Sequence, residues 1–276
     1  MKISAIMPAG MAILVTSQAF AANIDVLAFS DTFDVLHTNG ATVYGKPSEV
    51  GNGWVGQGGL STLSIASNEQ GNGGLSMKQT RGASNFTYVR GMSDSTEGVS
   101  QANRTYTLKF DIYATEPSVQ QTVLGIFTGL GFDFDHTLFV GGGTWRYWDP
   151  AQGQYVNTGV ANGALAWNNV ELEVRNGPIT GQFNGNDVFT AELELFLTRP
   201  AENSAGVLPR TSIATWTQEN IAVGSLYRLD FNVQANSTFY YDNVNFGYSI
   251  PEPGVVGLFG MLFVGFARQR RGPIRC

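Results

Sequence analysis

Chemistry on this chain would have to come mainly from carboxylates. Three pairs sit two residues apart: Asp133 with Asp135, Glu171 with Glu173, and Glu192 with Glu194. In a strand that spacing puts both members on one side, about 7 Å apart at roughly 3.3 Å rise per residue. Glycoside cleavage uses such pairs, one carboxyl as acid and the other as base or nucleophile. Only 2 histidines occur, His37 and His136, with no cysteine beside either, so a zinc centre or a Ser-His-Asp triad lacks its parts. His136, next to Asp133 and Asp135, is a metal-ligand candidate whose plainer alternative is a loop histidine. The glutamate pairs lie on strands where a solvated outer face is the simpler account, and no catalytic residue is assigned.

Asp242 is a separate case. In the alternating stretch 238–246 it shares parity with Tyr240, Val244 and Phe246, which places it inward, and an inward carboxylate is costly unless paired, hydrogen-bonded or metal-bound. First and last strands of sandwiches often pair, which would bring Asp31 or Asp34 close. Asp31 and Asp242 with backbone carbonyls are therefore the candidate ligands of a structural calcium ion, which takes hard oxygen donors. A bulge that turns Asp242 outward is the alternative. Among aromatics, Trp145, Tyr147 and Trp148 form a candidate platform for sugar rings, with Trp54 and Trp167 elsewhere. Trp145 and Tyr147 fall on one face and Trp148 on the other, so one set can be core while the other is exposed.

The elements that carry these residues read as strands. Residues 104–113 alternate, with Tyr106, Leu108, Phe110 and Ile112 on one face and Thr107, Lys109 and Asp111 on the other. Residues 122–128 are continuously apolar. Residues 144–149 and 154–156 flank a Pro-Ala-Gln-Gly turn and form a hairpin. From Trp167 onward, Val170, Leu172 and Val174 point inward and Glu171 and Glu173 outward; residues 188–197 repeat the scheme with Glu192 and Glu194 out. Residues 226–233 place Tyr227, Leu229, Phe231 and Val233 on one face. The Gly-, Asn- and Ser-dense stretch 40–74, with Trp54 its one large aromatic ring apart from Tyr44, predicts long loops with short strands. About a dozen short strands without a helix between them imply an all-β, antiparallel β-sandwich.

Both ends read as addresses. Lys2, an apolar segment centred on residues 11–15, and the small residues Ala19 and Ala21 make residues 1–21 a secretory signal peptide cut by signal peptidase. Pro251-Glu252-Pro253 ends the sheet region, because proline removes a backbone donor. A charge-free run of 14 residues, Gly254 to Ala267, follows and then Arg268, Arg270 and Arg271. As a helix that run spans about 21 Å, short of a bilayer core of about 30 Å, though arginines placed behind it retain a cytoplasmic end. The sandwich is expected over residues 22–247 and the tail over 248–276. Without the charges of both ends the body carries a formal charge of about −10, drawn from the 16 basic and 22 acidic residues of the chain. Such a body is a poor partner for nucleic acid, whose phosphates need clustered Lys and Arg. The single cysteine, Cys276, is the last residue, so the body has no disulfide.

The order Pro251-Glu252-Pro253, apolar helix, Arg268 to Arg271 resembles the PEP-CTERM sorting signal of exported bacterial proteins. The resemblance implies processing by an exosortase-type membrane transpeptidase, transient membrane anchoring through the C-terminal helix, and a cell-envelope, surface or extracellular-matrix destination. The body resembles the concanavalin A-like or laminin-G-like jelly roll in residues 143–149, 167–174 and 239–244. Laminarinase-type glycosidases are similar to this fold and carry Glu-x-Asp-x-x-Glu; neither Glu171-Leu172-Glu173 nor Glu192-Leu193-Glu194 supplies the central Asp or the third carboxylate. The expected function is a non-catalytic, exported sandwich that associates with extracellular polysaccharide. A jelly-roll glycoside hydrolase or lyase and a purely structural, self-associating surface protein are the alternatives.

Overall fold

The computed structural model describes residues 23–58, 63–67, 74–81, 87–92, 100–115, 121–126, 138–141, 143–161, 165–198, 209–224, 228–233 and 237–250. The sites assigned to Ala19 and Ala21, to the sorting motif (Pro251, Glu252, Pro253, Arg268, Arg270, Arg271), and to Asp133, Asp135 and His136 lie outside them. Among the described residues no helix is long and apolar enough to cross a membrane.

The regular elements are strands. In chain order they are β1 (Val26–Asp31), β2 (Gly53–Gly58), β3 (Leu63–Ser67), β4 (Leu75–Arg81), β5 (Thr87–Met92), β6 (Thr105–Ala114), β7 (Gln121–Ile126) and β8 (Leu138–Gly141). Then come β9 (Thr144–Asp149), β10 (Gln154–Ala161), β11 (Trp167–Phe183), β12 (Asn186–Thr198), β13 (Thr211–Ala222), β14 (Arg228–Val233) and β15 (Ser237–Ser249). The larger sheet runs β13-β12-β11-β6-β15-β4-β3, with β1 also paired to β15; the smaller runs β10-β9-β8-β7-β14-β5-β2. All the pairings are antiparallel.

The two sheets meet through one core. Phe110 of β6 and Tyr241 of β15 pack against Phe231 of β14, at ring separations of 5.6 and 4.5 Å. At the far end Trp216 of β13 stacks on Tyr147 of β9, 4.7 Å apart. The alternation read in residues 104–113 is observed: Tyr106, Leu108, Phe110 and Ile112 are buried in this core. Val170, Leu172 and Val174 of β11 and Leu193, Leu195 and Leu197 of β12 join them. The Tyr241 hydroxyl is fully enclosed and has no hydrogen-bond partner among the described residues; burial pushes its acidity well below that of a free phenol.

β15 departs from simple alternation. Phe239 and Tyr241 face the core, and so do Val244, Phe246 and Tyr248, while Tyr240 belongs to a second cluster with Tyr113 and Trp167. Parity changes because the register against β6 shifts between Asp242 and Asn245, where Asn243 takes φ 50°. An extra residue in one strand is a bulge, and a one-residue slip turns every later side chain to the other face. Asp242 therefore shares a face with Tyr240, not with Val244 and Phe246 as its parity predicted. The bulge also marks where the strand changes neighbours, from β4 along Ser237 to Tyr241 to β1 along Val244 to Tyr248.

Trp54, read as a loop residue, lies in β2 and is 1% exposed. Its ring meets Phe29 edge-on at 5.0 Å and stacks on Phe33 at 5.5 Å.

Candidate functional site

The glutamate pairs were expected on a solvated face; this holds for Glu192, whose side chain is 52% exposed, and the structure corrects it for Glu171 and Glu173. Glu171 and Glu173 do alternate with the core residues Val170, Leu172 and Val174, yet they are only 4% and 5% exposed. Arginines cover them. Arg210 donates from Nε and Nη2 to the two oxygens of Glu171, at 3.1 and 2.9 Å, and Nη2 also reaches Glu173. Arg175 donates to the other oxygen of Glu173 and to Glu194, and at 2.7 Å to Glu192. The Arg210 guanidinium lies 3.3 Å over the ring of Phe196, which holds it flat against the sheet. Burial alone would raise the Glu194 carboxyl; a hydrogen bond from Ser212 and the Arg175 guanidinium outweigh it and hold the group below its ordinary range. Burial likewise opposes the Arg175 charge, and its bonds to Glu194 and Glu173 override that. A glycosidase needs one carboxyl free to protonate a leaving group and another free to attack or activate water. Here guanidinium nitrogens occupy all four oxygens of Glu171 and Glu173, so this network reads as a fastening between β11, β12 and the start of β13.

The calcium assignment is also corrected. Asp31 is fully buried, and three donors already take its carboxylate. Oδ1 accepts the backbone N–H of Phe33 at 2.8 Å, and Oδ2 accepts Nε2–H of His37 at 2.8 Å and Nε1–H of Trp54 at 2.6 Å. Asp31 thus points into the core, on the Trp54 side of the sheet. Asp242 lies on the opposite face and accepts the N–H of Asn243 at 2.7 Å. The two carboxylates do not form one donor set, and among the described residues no group of three His, Cys, Asp or Glu could hold a metal ion. The donors on Asp31 fix the 31–37 segment to β2, including Phe33 at φ 63°, an uncommon value for a bulky residue that the Asp31 bond and the Trp54 stack hold in place.

The aromatic platform divides as its parity required. Trp145 is 1% exposed, and Tyr147 packs inward on Trp216. Trp148 takes the outer face of the smaller sheet and meets Tyr155 of β10 edge to face, with ring centroids 5.1 Å apart at 72°. The hairpin register sets this pair, opposing Trp148 to Tyr155 and Arg146 to Asn157. All four side chains therefore share the outer face. Trp148, Tyr155 and Arg146 are half-buried and Asn157 is exposed. The turn is rigid: Asp149 accepts the N–H groups of Ala151 and Gln152 at 2.9 and 3.3 Å and the Gln152 amide at 2.6 Å. Asn157 Oδ1 accepts the N–H of Gly159 at 2.8 Å.

Arg146 stands apart from the other described arginine side chains. Arg104 lies over the ring of Tyr248 at 4.0 Å, and Arg175 and Arg210 are held by glutamates. Arg146 has no ion pair among the described residues, and its Nε is buried without a hydrogen-bond partner among them.

No protein-family model and no curated protein matches the chain. Similar solved structures include an endo-β-1,4-glucuronan lyase from the fungus Trichoderma reesei, 13% identical over 76% of this chain and 94% of that one, TM-score 0.42. A xylan-binding domain from Paenibacillus barcinonensis is 11% identical over 83% of this chain and 97% of its own, TM-score 0.31. Domain 4 of an extracellular arabinanase from Geobacillus stearothermophilus, in complex with arabinotriose, is 10% identical over 82% and 94%, TM-score 0.37. None of these reaches a TM-score of 0.5, and what those proteins bind or cleave is a property of those proteins.

Sequence reasoning named Trp148 and missed Tyr155, Arg146 and Asn157. A signal for them was present. Once residues 150–153 are read as the turn, antiparallel pairing places Tyr155 opposite Trp148 and Asn157 opposite Arg146.

Proposed function

We propose that this chain is an exported, non-catalytic surface or matrix protein whose jelly-roll sandwich associates with extracellular polysaccharide through Trp148 and Tyr155. One observation carries the reading: a rigid hairpin holds two aromatic rings half-exposed on a sheet face, beside an arginine without a partner among the described residues. A pyranose ring has an apolar C–H face, and laying it on an indole removes apolar area from water at about 25 cal/mol per Å². The cross-strand pair fixes the ring orientation before binding, which limits the ordering cost of association. Trp148→Ala is expected to weaken retention on the producing cell's own exopolysaccharide at least ten-fold in affinity electrophoresis. Its melting temperature should stay close to wild type, because the core ring at this end is Trp145. Equal retention of the variant and the wild type would sink the reading.

Delivery in this proposal follows from the two ends: export by the signal peptide, then exosortase processing at Pro251-Glu252-Pro253. The observed sheet supports the placement of the cut, since β15 ends at Ser249 and the N–H of Ile250 is tied to Asp25 Oδ2 at 2.6 Å. Pro251 follows directly. Mass spectrometry of the protein recovered from cells is expected to find a C-terminus near residues 251–253. A mature chain still carrying Cys276 would overturn the processing step.

A further inference from the structure

We infer that the ligand of the Trp148–Tyr155 face is a polysaccharide carrying carboxylates, a polyuronate, with Arg146 as the group that selects it. The inference rests on the glycan-binding reading above and adds the class of sugar. A guanidinium offers five N–H donors in a planar fork, and a buried donor without an acceptor is destabilising. The described arginine side chains Arg104, Arg175 and Arg210 have found a ring or a carboxylate within the protein. Arg146 has neither among the described residues. Its nearest acidic neighbour in sequence, Asp149, is taken by the hairpin turn. Arg146 shares the face and the strand with Trp148, two residues away, a repeat of about 6.6 Å. A hexuronate matches that offset: the ring lies on the indole, and the carboxylate on the ring carbon reaches the fork and accepts two parallel hydrogen bonds. A neutral sugar fills the platform and leaves the fork without an anion.

The whole chain carries a formal charge of −6, so it repels a polyanion at long range. At physiological ionic strength that repulsion is screened beyond about 8 Å. Recognition is then a matter of short-range geometry rather than of bulk charge.

The test is affinity electrophoresis of the full chain against three probes: alginate, the same alginate with its carboxyl groups reduced to alcohols, and dextran sulfate. The wild type is expected to bind alginate at least ten-fold more tightly than the reduced polymer, and dextran sulfate no better than the reduced polymer. Arg146→Gln should remove the preference and keep the affinity for the reduced polymer, and Arg146→Lys should keep only part of the preference. A melt of each variant checks folding. Equal wild-type affinity for alginate and its reduced form overturns the uronate assignment and leaves the platform standing. Equal affinity for dextran sulfate shows charge without carboxylate selection and also overturns it. A preference that survives in Arg146→Gln removes Arg146 from the site. Binding to none of the three probes counts against both the platform and the uronate.

Discussion

Replacing Arg210 with leucine is expected to destabilise the protein by about 3–5 kcal/mol, the scale found when one partner of a buried ion pair is removed. The side chains of Glu171 and Glu173 are 6% and 7% exposed, and that of Arg210 is 13% exposed, so solvent screens little of the interaction. Without Arg210, Glu171 keeps Lys109 at 3.7 Å and Glu173 keeps Arg175, but three buried oxygens lose their guanidinium donor. Urea denaturation at neutral pH measures the loss. Replacing Arg210, Glu171 and Glu173 together with apolar residues should recover much of it, because the penalty belongs to the stranded charges. A single-variant loss below about 1 kcal/mol would show that water already reaches the carboxylates. The same network sets a pH response. Glu194 is held below its ordinary value of 4.5, so its contribution is complete above that value and is lost as pH falls through the lower folded one. The wild type should therefore lose stability on acidification below pH 4.5.

Asp31→Ala is expected to be of similar severity, about 4 kcal/mol. It removes one acceptor and strands three buried donors: the Phe33 N–H, His37 Nε2–H and Trp54 Nε1–H. Each lost bond to a charged, buried acceptor is of order 1–3 kcal/mol, and the three are not additive because they share one carboxylate. Asp31→Asn should fall between, since one carboxamide oxygen can still accept while the amide nitrogen cannot. Near-ultraviolet circular dichroism contains the contribution of Trp54 among the 5 tryptophans, and part of the signal should be lost in Asp31→Ala before the global transition if the 31–37 segment loosens first. A near-native melt and spectrum for Asp31→Ala would show that the aromatic stack alone holds this corner.

The contrast between these two sites shows what the sequence makes legible. Residues 104–113 and the hairpin of residues 144–156 could be read because their information is local: alternation selects the face, and the turn residues set the register. Alternation likewise set Trp148 on the face opposite Trp145 and Tyr147. Arg210 could not be read as the cover for Glu171, because 39 residues separate them and only the pairing of β11, β12 and β13 brings them together. The Asp242 parity failed on one inserted residue, which alternation cannot announce. Trp54 was missed because Gly51, Gly53, Gly56 and Gly58 around it carry the signature of a loop, while the burial that makes the segment a strand comes from Phe29, Phe33 and Phe231.

The place of β15 has a consequence for how the molecule can be made. The last of the described strands is an inner strand of the larger sheet: β6 lines one side of it, and β4 and then β1 line the other. β1 approaches so closely that a side chain at Gly247 would strike the Val26 carbonyl. A polypeptide emerging N-terminus first therefore holds β1, β4 and β6 without the strand that joins them until residue 249 has appeared. Closing a loop of more than 200 residues comes last, when the largest entropy of ring closure is met. Until then the amino-terminal strands are open edges, so the interval between first and last residue is when this protein is most exposed to mispairing.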